Sequence, residues 1–464
     1  MASEKISVGL VNSSYTKGWI GAYTIGTTAP VLAVGYIDTA DDMTTDPRVL
    51  PISITGTMRT LVNSYDYSGV GGLGQTGTGL YGIYDPVDWT RKQLAQCNNN
   101  TTAGSVRPPI AGVQQWSLTN PYGIVTDGNT MYMIGNDSHP QNRKAFIYSY
   151  NMAADAFSEN SVPVYSFSPD ITGDQTQWKG AGYGLDIYTS GNNKYLIAVF
   201  GRFTNVGWTY TQGPGAIVKI PLNGSGMVQM AITNANPTGV VVHGDYAYVT
   251  SVGGAQVGGG NQNSKLEVFN IAGTTLNYLA QIDVNAIPSG AGFTGGDYVD
   301  VAFASGKAYV LAAHYNNNYT QYEYIIIETV ETSLIDGKLN KKDSSGYYTI
   351  VPNYVRLTAN PASPTFGLLP GEGDDLYLVD GVNIKKIDTT VSLTEPVVTL
   401  VKSAGDFALD SSIIGHVFNT AGVVVERTAP VITPVATGVA SAKVCVTKMA
   451  KRLAHLEELE PREG

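Results

Sequence analysis

The chain has 464 residues, 14% of them charged, and a formal net charge of −10. One ordinary globular core does not extend over that length, so the chain is divided into domains or built from repeats. The acidic balance, with no basic stripe to offset it, argues against nucleic acid or anionic lipid as a partner, and no apolar run is long enough for a membrane-spanning helix.

The first segment, MASEKISVGL, has neither the basic start nor the apolar stretch of a signal peptide. The composition still points to a secreted or cell-surface protein, with a cytoplasmic one as the alternative. There are 53 glycines and 29 tyrosines, few charges and many Asn, Thr and Ser. Cys97 and Cys445 are the two cysteines; they lie far apart, and no disulfide framework is expected.

In chain order, ISVGLVN, WIGAYTIG and VLAVGYID (6–38) read as strands. TMRTLVNSYDY, GLYGIYD and RKQLAQ (57–97) read as three more. Between them lies GVGGLGQTGTG (69–79), in which Gly69, Gly71 and Gly74 match a dinucleotide-binding spacing. Such a site needs a helix straight after the glycines. Turn and strand follow instead, so this is read as a loop of a β-protein.

From residue 122 a unit recurs: YGIVTDGNTMYMIG, YGLDIYTSGNNKYLIAVF, TGVVVHGDYAYVTSV, YVDVAFASGKAYVLAA and FGLLPGEGDDLYLVDG. Each has a small or apolar strand, a turn at Gly128, Gly191, Gly244, Gly306 or Gly373, and a strand bearing Tyr132, Tyr195, Tyr248, Tyr309 or Tyr377. A third strand follows, as in AFIYSYNM, AIVKIPLN, KLEVFNIA and NIKKIDTT. A fourth is seen in GMVQMAI, LNYLAQI and PVVTLV. Four antiparallel strands per unit predict the blades of an all-β propeller, seven in number with six or eight as alternatives. DFALDSSIIGHVF and GVVVERT (406–428) would share the closing blade with the strands of 6–38, so that residues 1–428 form the propeller. LYLVDGVNIKKIDTT and AYVTSVGG resemble the YVTN and kelch-like propeller repeats; that resemblance implies fold and no particular activity.

Beyond residue 428 the style changes. PVITPVATGVASAK is linker-like, and Met449, Leu453, Leu456 and Leu459 then make an apolar helical stripe. The segment 429–464 reads either as a docking or assembly helix or as an appended tail.

Five histidines show no zinc spacing, and no nucleophile elbow occurs. Transition metal, haem and nucleotide are not expected as cofactors, and none is assigned. Structural calcium is left open at DTADD (38–42), GEGDD (371–375) and Asp297 with Asp300. The strongest chemical signal is aromatic and amide side chains in what read as loops between strands. GRFTNVGWTYTQ (201–212) carries Arg202, Phe203, Asn205, Trp208 and Tyr210. HYNNNYTQYEY (314–324) carries His314, Tyr315, Asn317, Tyr319 and Tyr322, and QTQWKG adds Trp178. Rings cover the apolar faces of sugars and amides bond their hydroxyls; the same residues also suit protein contacts. The reading is a non-enzymatic binding protein for a glycan or protein partner. A hydrolase or lyase acting at a central funnel is the alternative, and an assembly role for the tail is a third. Oligomeric state is not legible.

Overall fold

A computed structural model describes the strands between Glu4 and Arg427 and many of the segments joining them. Residues 12–17, 35–46, 65–79, 98–110, 284–296, 360–366, 391–397, 404–416 and 428–464, with several shorter connections, lie outside the described residues. The described chain is almost entirely β and falls into two compact units. One holds residues 1–166, 369–387 and 398–444, the other 167–368, 388–397 and 445–464.

In the first unit, β1 (Glu4–Val11), β2 (Gly18–Thr24) and β3 (Val31–Val34) form a sheet with the last strand, β34 (Val417–Arg427), which pairs antiparallel to β1. Both ends of the described chain therefore share one sheet. The division is three strands to one, and the segment before Val417 lies outside the described residues. The next sheet holds β4 (Pro47–Ile54), β5 (Thr57–Ser64), β6 (Leu80–Tyr84) and β7 (Arg91–Cys97), with β8 (Gln114–Trp116) added parallel to β7. Strands β4 and β8 were not anticipated. The glycine-rich stretch 69–79 falls between β5 and β6, outside the described residues. The third sheet is β9 (Gly123–Asp127), β10 (Thr130–Asn136), β11 (Ala145–Ala153) and β12 (Ala156–Glu159), with β13 (Tyr165–Phe167) beside β11. Trp116 fills the space between these last two sheets, its ring 4.6 Å from those of Tyr81 and Tyr150.

The second unit repeats the pattern. One sheet is β14 (Lys179–Ser190), β15 (Asn193–Val206), β16 (Thr209–Pro221) and β17 (Gln229–Ala235). The next is β18 (Pro237–His243), β19 (Tyr246–Ser251), β22 (Lys265–Asn270) and β23 (Asn277–Asp283); a ribbon of β20 (Gly254–Ala255) and β21 (Asn261–Gln262) is inserted after β19. The third is β24 (Asp297–Ala304), β25 (Lys307–Tyr315), β26 (Tyr322–Thr329) and β29 (Tyr354–Ala359). Between its last two strands lie the helix α1 (Glu331–Ile335) and a ribbon of β27 (Lys341–Lys342) and β28 (Tyr348–Thr349). A last sheet is β30 (Gly367–Pro370), β31 (Leu376–Val379), β32 (Asn383–Ile387) and β33 (Val398–Ser403).

Among the described residues this makes seven sheets of four or five strands, ordered as meanders, which is the blade construction of a β-propeller. The sequence sets it locally. Gly128, Gly191, Gly244 and Gly306 have φ of 57°, 58°, 54° and 69°, which a tight turn requires and a side chain resists. The repeated tyrosines at 195, 248, 309 and 377 are buried between sheets. Neighbouring first strands pack so closely that a Cβ on Gly184 of β14 would lie 2.8 Å from the backbone nitrogen of Val240 in β18.

A buried carboxylate recurs at one position. Asp186 of β14 accepts the Val242 N–H of β18 at 2.8 Å; Asp300 of β24 accepts the Leu368 N–H of β30 at 3.0 Å. Each stands two residues before the partner of the repeated tyrosine in the ladder, so the repeat extends to the joints between sheets.

Candidate binding site

In each sheet of the second unit the first strand runs to the tight turn and the second runs back. Connections from second to third strand, and crossovers to the next sheet, therefore leave at the opposite end. The three sheets are aligned. At the turn end, the Tyr188 hydroxyl donates to Asp245 at 2.7 Å, and His243 stacks on Phe303 at 4.1 Å. At the hairpin end, Gly254 lies against Gln212, and the Tyr298 N–H donates to Ser264 Oγ at 2.8 Å.

The described residues among those singled out from the sequence belong to the hairpin end, mostly as strand residues. The β15–β16 ladder continues to Val206↔Thr209, so most of 201–212 is strand. Asn205 and Tyr210 face each other across its last rungs, and Trp208 lies in the connection 207–208, outside the described residues. His314 and Tyr315 end β25 opposite Glu323 and Tyr322 of β26. Asn317 and Tyr319 lie outside the described residues. Gly201 and Gly213 are strand residues that make room for rings. A Cβ on Gly201 would lie 2.6 Å from the Tyr183 ring, and one on Gly213 2.7 Å from that of Trp178.

Arg202 and Phe203 are buried, at 1% and 6% exposure, which corrects the expectation that they present themselves to a partner. Arg202 is instead a brace. Its Nε donates to the Pro214 carbonyl at 2.7 Å, Nη1 reaches the Pro169 carbonyl at 3.5 Å, and the guanidinium lies 4.2 Å from the centre of the Trp178 ring. Trp178 itself is half-buried, just before β14. With Arg202 on its face and Gly213 beneath its edge, the indole is fixed while part of it meets solvent.

The second group at this end was invisible in the sequence. Glu267 of β22 is buried, and its carboxylate accepts the Asn234 N–H at 2.8 Å and the Ser251 hydroxyl at 3.3 Å. It thus ties the end of β17, where the crossover to β18 begins, to the next sheet. Desolvation pushes its pKa up to about 7, against smaller lowering effects from the Asn234 bond, Lys265 and Ser251. Asn236, on the same crossover, has φ of 53°; its carbonyl accepts the Val252 N–H at 3.0 Å.

Charge is scarce here. Segments 201–216, 232–239, 252–264 and 284–296 contain one Asp, Glu, Lys or Arg, which is Arg202, and 314–322 contains none; the strand ends beside them carry Lys179, Lys265, Asp283, Asp297 and Glu323. Among the described residues no group of three or more His, Cys, Asp or Glu is placed to hold a metal ion. No helix among them is long and apolar enough to cross a membrane.

No family model matches the chain, and no curated relative does. Among solved structures the chain is similar to Trypanosoma rangeli sialidase in complex with the inhibitor DANA: 12% identity, TM-score 0.39, 76% of this chain and 53% of that one. It is also similar to a Bombyx mori GH32 β-fructofuranosidase at 9% identity and TM-score 0.33, covering 63% of this chain and 65% of that one. Sqt1 from Chaetomium thermophilum gives 12% identity and TM-score 0.32, with 61% and 62% covered. The chain spans about half the length of the sialidase. At such TM-scores these likenesses carry no functional inference, and the likeness to YVTN and kelch repeats remains one of sequence style.

Proposed function

We propose that this propeller is an exported binding protein that takes a neutral glycan at the hairpin end of the β14–β17, β18–β23 and β24–β29 sheets, without acting on it chemically. The observation that carries this reading is the half-buried Trp178 ring, braced by Arg202, at an end whose connecting segments are rich in amides, hydroxyls and aromatics. A fixed ring costs little further entropy when a sugar face stacks on it, and amides supply directed hydrogen bonds. Asn205, Tyr210, His314, Tyr315 and Tyr322, on the end rungs of the β15–β16 and β25–β26 ladders, support this reading, which extends to Trp208, Asn317 and Tyr319, outside the described residues.

Neutrality follows from charge. A chain of net −10 repels an anionic glycan at a distance. Of the cations at this end, Arg202 is buried and bonded to carbonyls, and Lys265 lies 3.9 Å from Asp283. A protein partner is the second reading. It loses its best anchor for the same reason, since Arg202 cannot act as an interfacial hot spot while it is buried.

The test is a glycan array probed with the full chain, followed by calorimetry. Neutral hexose polymers should bind, and sialylated or sulfated ones should not. Trp208→Ala and Tyr315→Ala should each weaken binding by roughly 1–3 kcal/mol without lowering the melting temperature. Sharp destabilisation with binding intact would show that these rings are core, and capture of acidic glycans would overturn the neutral assignment.

A further inference from the structure

The outer edge of the β14–β17 sheet differs from the other outer edges of its unit. Strand β17 is the last of its sheet among the described residues; one side pairs with β16, from Pro214↔Ala235 to Lys219↔Gln229. Its Met230 and Ile232 are 48% and 51% exposed, and Val228 and Met227, just before it, are 46% and 81% exposed. Edge strands ordinarily carry a charge, a proline or a bulge that discourages pairing with another chain. The bulge of β17 lies beyond Ile232, and its rungs from Gln229 to Ile232 are regular. The outer strand β23 exposes Tyr278 and Leu279 but carries Asp283, and β29 carries Arg356. From Ile220 to Gly244 there is no Asp, Glu, Lys or Arg at all.

We propose that β17 is a self-association edge, where a second copy of this chain adds its own β17 antiparallel about a two-fold axis. Two observations favour a second copy over another occupant. First, the apolar pattern is symmetric about Met230: a pairing centred there sets Val228 opposite Ile232 and Met230 opposite its equivalent, so one strand is complementary to itself. Second, two chains of net −10 repel wherever their charges face each other. The uncharged run 220–244 is where their backbones approach without like charges in the contact. Pairing would satisfy the outward N–H and C=O groups of β17 and cover Val228, Met230 and Ile232 together.

Sedimentation velocity on the full chain, from about 1 to 100 μM, tests this. The wild type should move from monomer to dimer across that range. Met230→Lys should remain monomeric, with an unchanged circular dichroism spectrum and melting temperature, because the side chain it replaces is exposed. Met230→Cys should give a covalent dimer on mild oxidation, well above the background from Cys97 and Cys445 in the wild type. Val228→Cys should not, since its own equivalent lies four residues away across the ladder. A wild type that stays monomeric, or a dimer that survives Met230→Lys, overturns the proposal. So does a dimer abolished by Leu453→Glu and not by Met230→Lys, which would assign association to the C-terminal stripe.

Discussion

The two ends of the sheets in the second unit are made from the same strands and used differently. At the turn end, polar groups are engaged between sheets. Lys219 of β16 sends its Nζ into the next sheet's β22–β23 connection, donating to the Ile271 carbonyl at 2.6 Å, to the Gly273 carbonyl, and to the Thr275 carbonyl at 3.3 Å. Its charge also lies over the rings of Tyr195 and Tyr188, at 4.2 and 4.9 Å. One sheet further on, Tyr248 donates to Glu331 at 2.7 Å, and burial raises the pKa of that phenol. At the hairpin end the strands overrun the sheet, the crossovers carry amides, and one buried carboxylate and one braced indole replace the locks. The lesson is that a repeat fixes both ends equally in topology while the side chains that join neighbouring sheets differ from one end to the other.

The largest test of this contrast is Lys219→Met. The neutral side chain fills similar space and donates nothing, leaving three carbonyls without their common donor. Denaturant unfolding should show a loss of about 3 kcal/mol, in the range for breaking a buried charged hydrogen-bond set. Burial lowers the pKa of this lysine to about 8, so desolvation opposes the bonds it makes. If Lys219→Met costs nothing, those two effects cancel and packing alone holds the turn end.

Glu267 tests the hairpin end through pH. Its folded pKa, raised from 4.5 to about 7, exceeds the unfolded value. Between those values the folded state therefore holds a proton that the unfolded state has released. Stability must fall as pH rises from 4.5 to 7, by up to about 3 kcal/mol, and then level off. Below pH 4.5 both states are protonated and this group contributes no slope. Glu267→Gln should flatten that interval in a series of unfolding curves. A slope that persists in the variant would belong to other groups and would remove Glu267 from the account of this end.

Asp186 lies between the two ends and gives a smaller effect. Asp186→Ala strands the Val242 N–H of the neighbouring first strand, which should cost about 2 kcal/mol. Asp300→Ala should match it within the error of the measurement, because Leu368 stands in the same relation to it. Unequal losses would mean that the two joints are alike in geometry only.

How much of this was legible in the sequence depends on distance along the chain. The strand meanders, the glycine turns and the buried tyrosines arise within a few tens of residues, and period and turn chemistry reveal them. The joints do not. Asp186 meets Val242 across 56 residues, and Lys219 meets Ile271 across 52. In the sequence each is one charged residue inside a strand, with nothing to distinguish it from a solvated one. The hairpin end was misread for a different reason. Gly201 and Gly213 punctuate the sequence as a loop would, yet each is a strand residue kept small by a neighbouring ring. Arg202 and Phe203 consequently went to the wrong side of the surface. A single sequence cannot separate a glycine chosen for backbone freedom from one chosen for lack of a side chain.

That distinction yields the smallest and most specific prediction. Trp178 packs on Arg202 and is half-buried, so Trp178→Ala should cost little stability, about 1 kcal/mol for a partly exposed cation–π contact with its packing. If its indole is the platform for a neutral glycan, the same substitution should weaken binding about ten-fold, equivalent to about 1.4 kcal/mol. Gly213→Ala approaches the same ring from beneath. The new methyl group would lie 2.7 Å from the indole and 2.8 Å from Arg202 Nε, so the ring must shift while every native side chain is kept. Calorimetry on both variants then separates position from presence. Equal losses of affinity mean that the fixed orientation of Trp178 binds the ligand. A loss in Trp178→Ala alone means that its apolar area suffices wherever the ring lies. No loss in either would move binding away from this sheet, to the Tyr315 and Tyr322 pair at the end of β25 and β26.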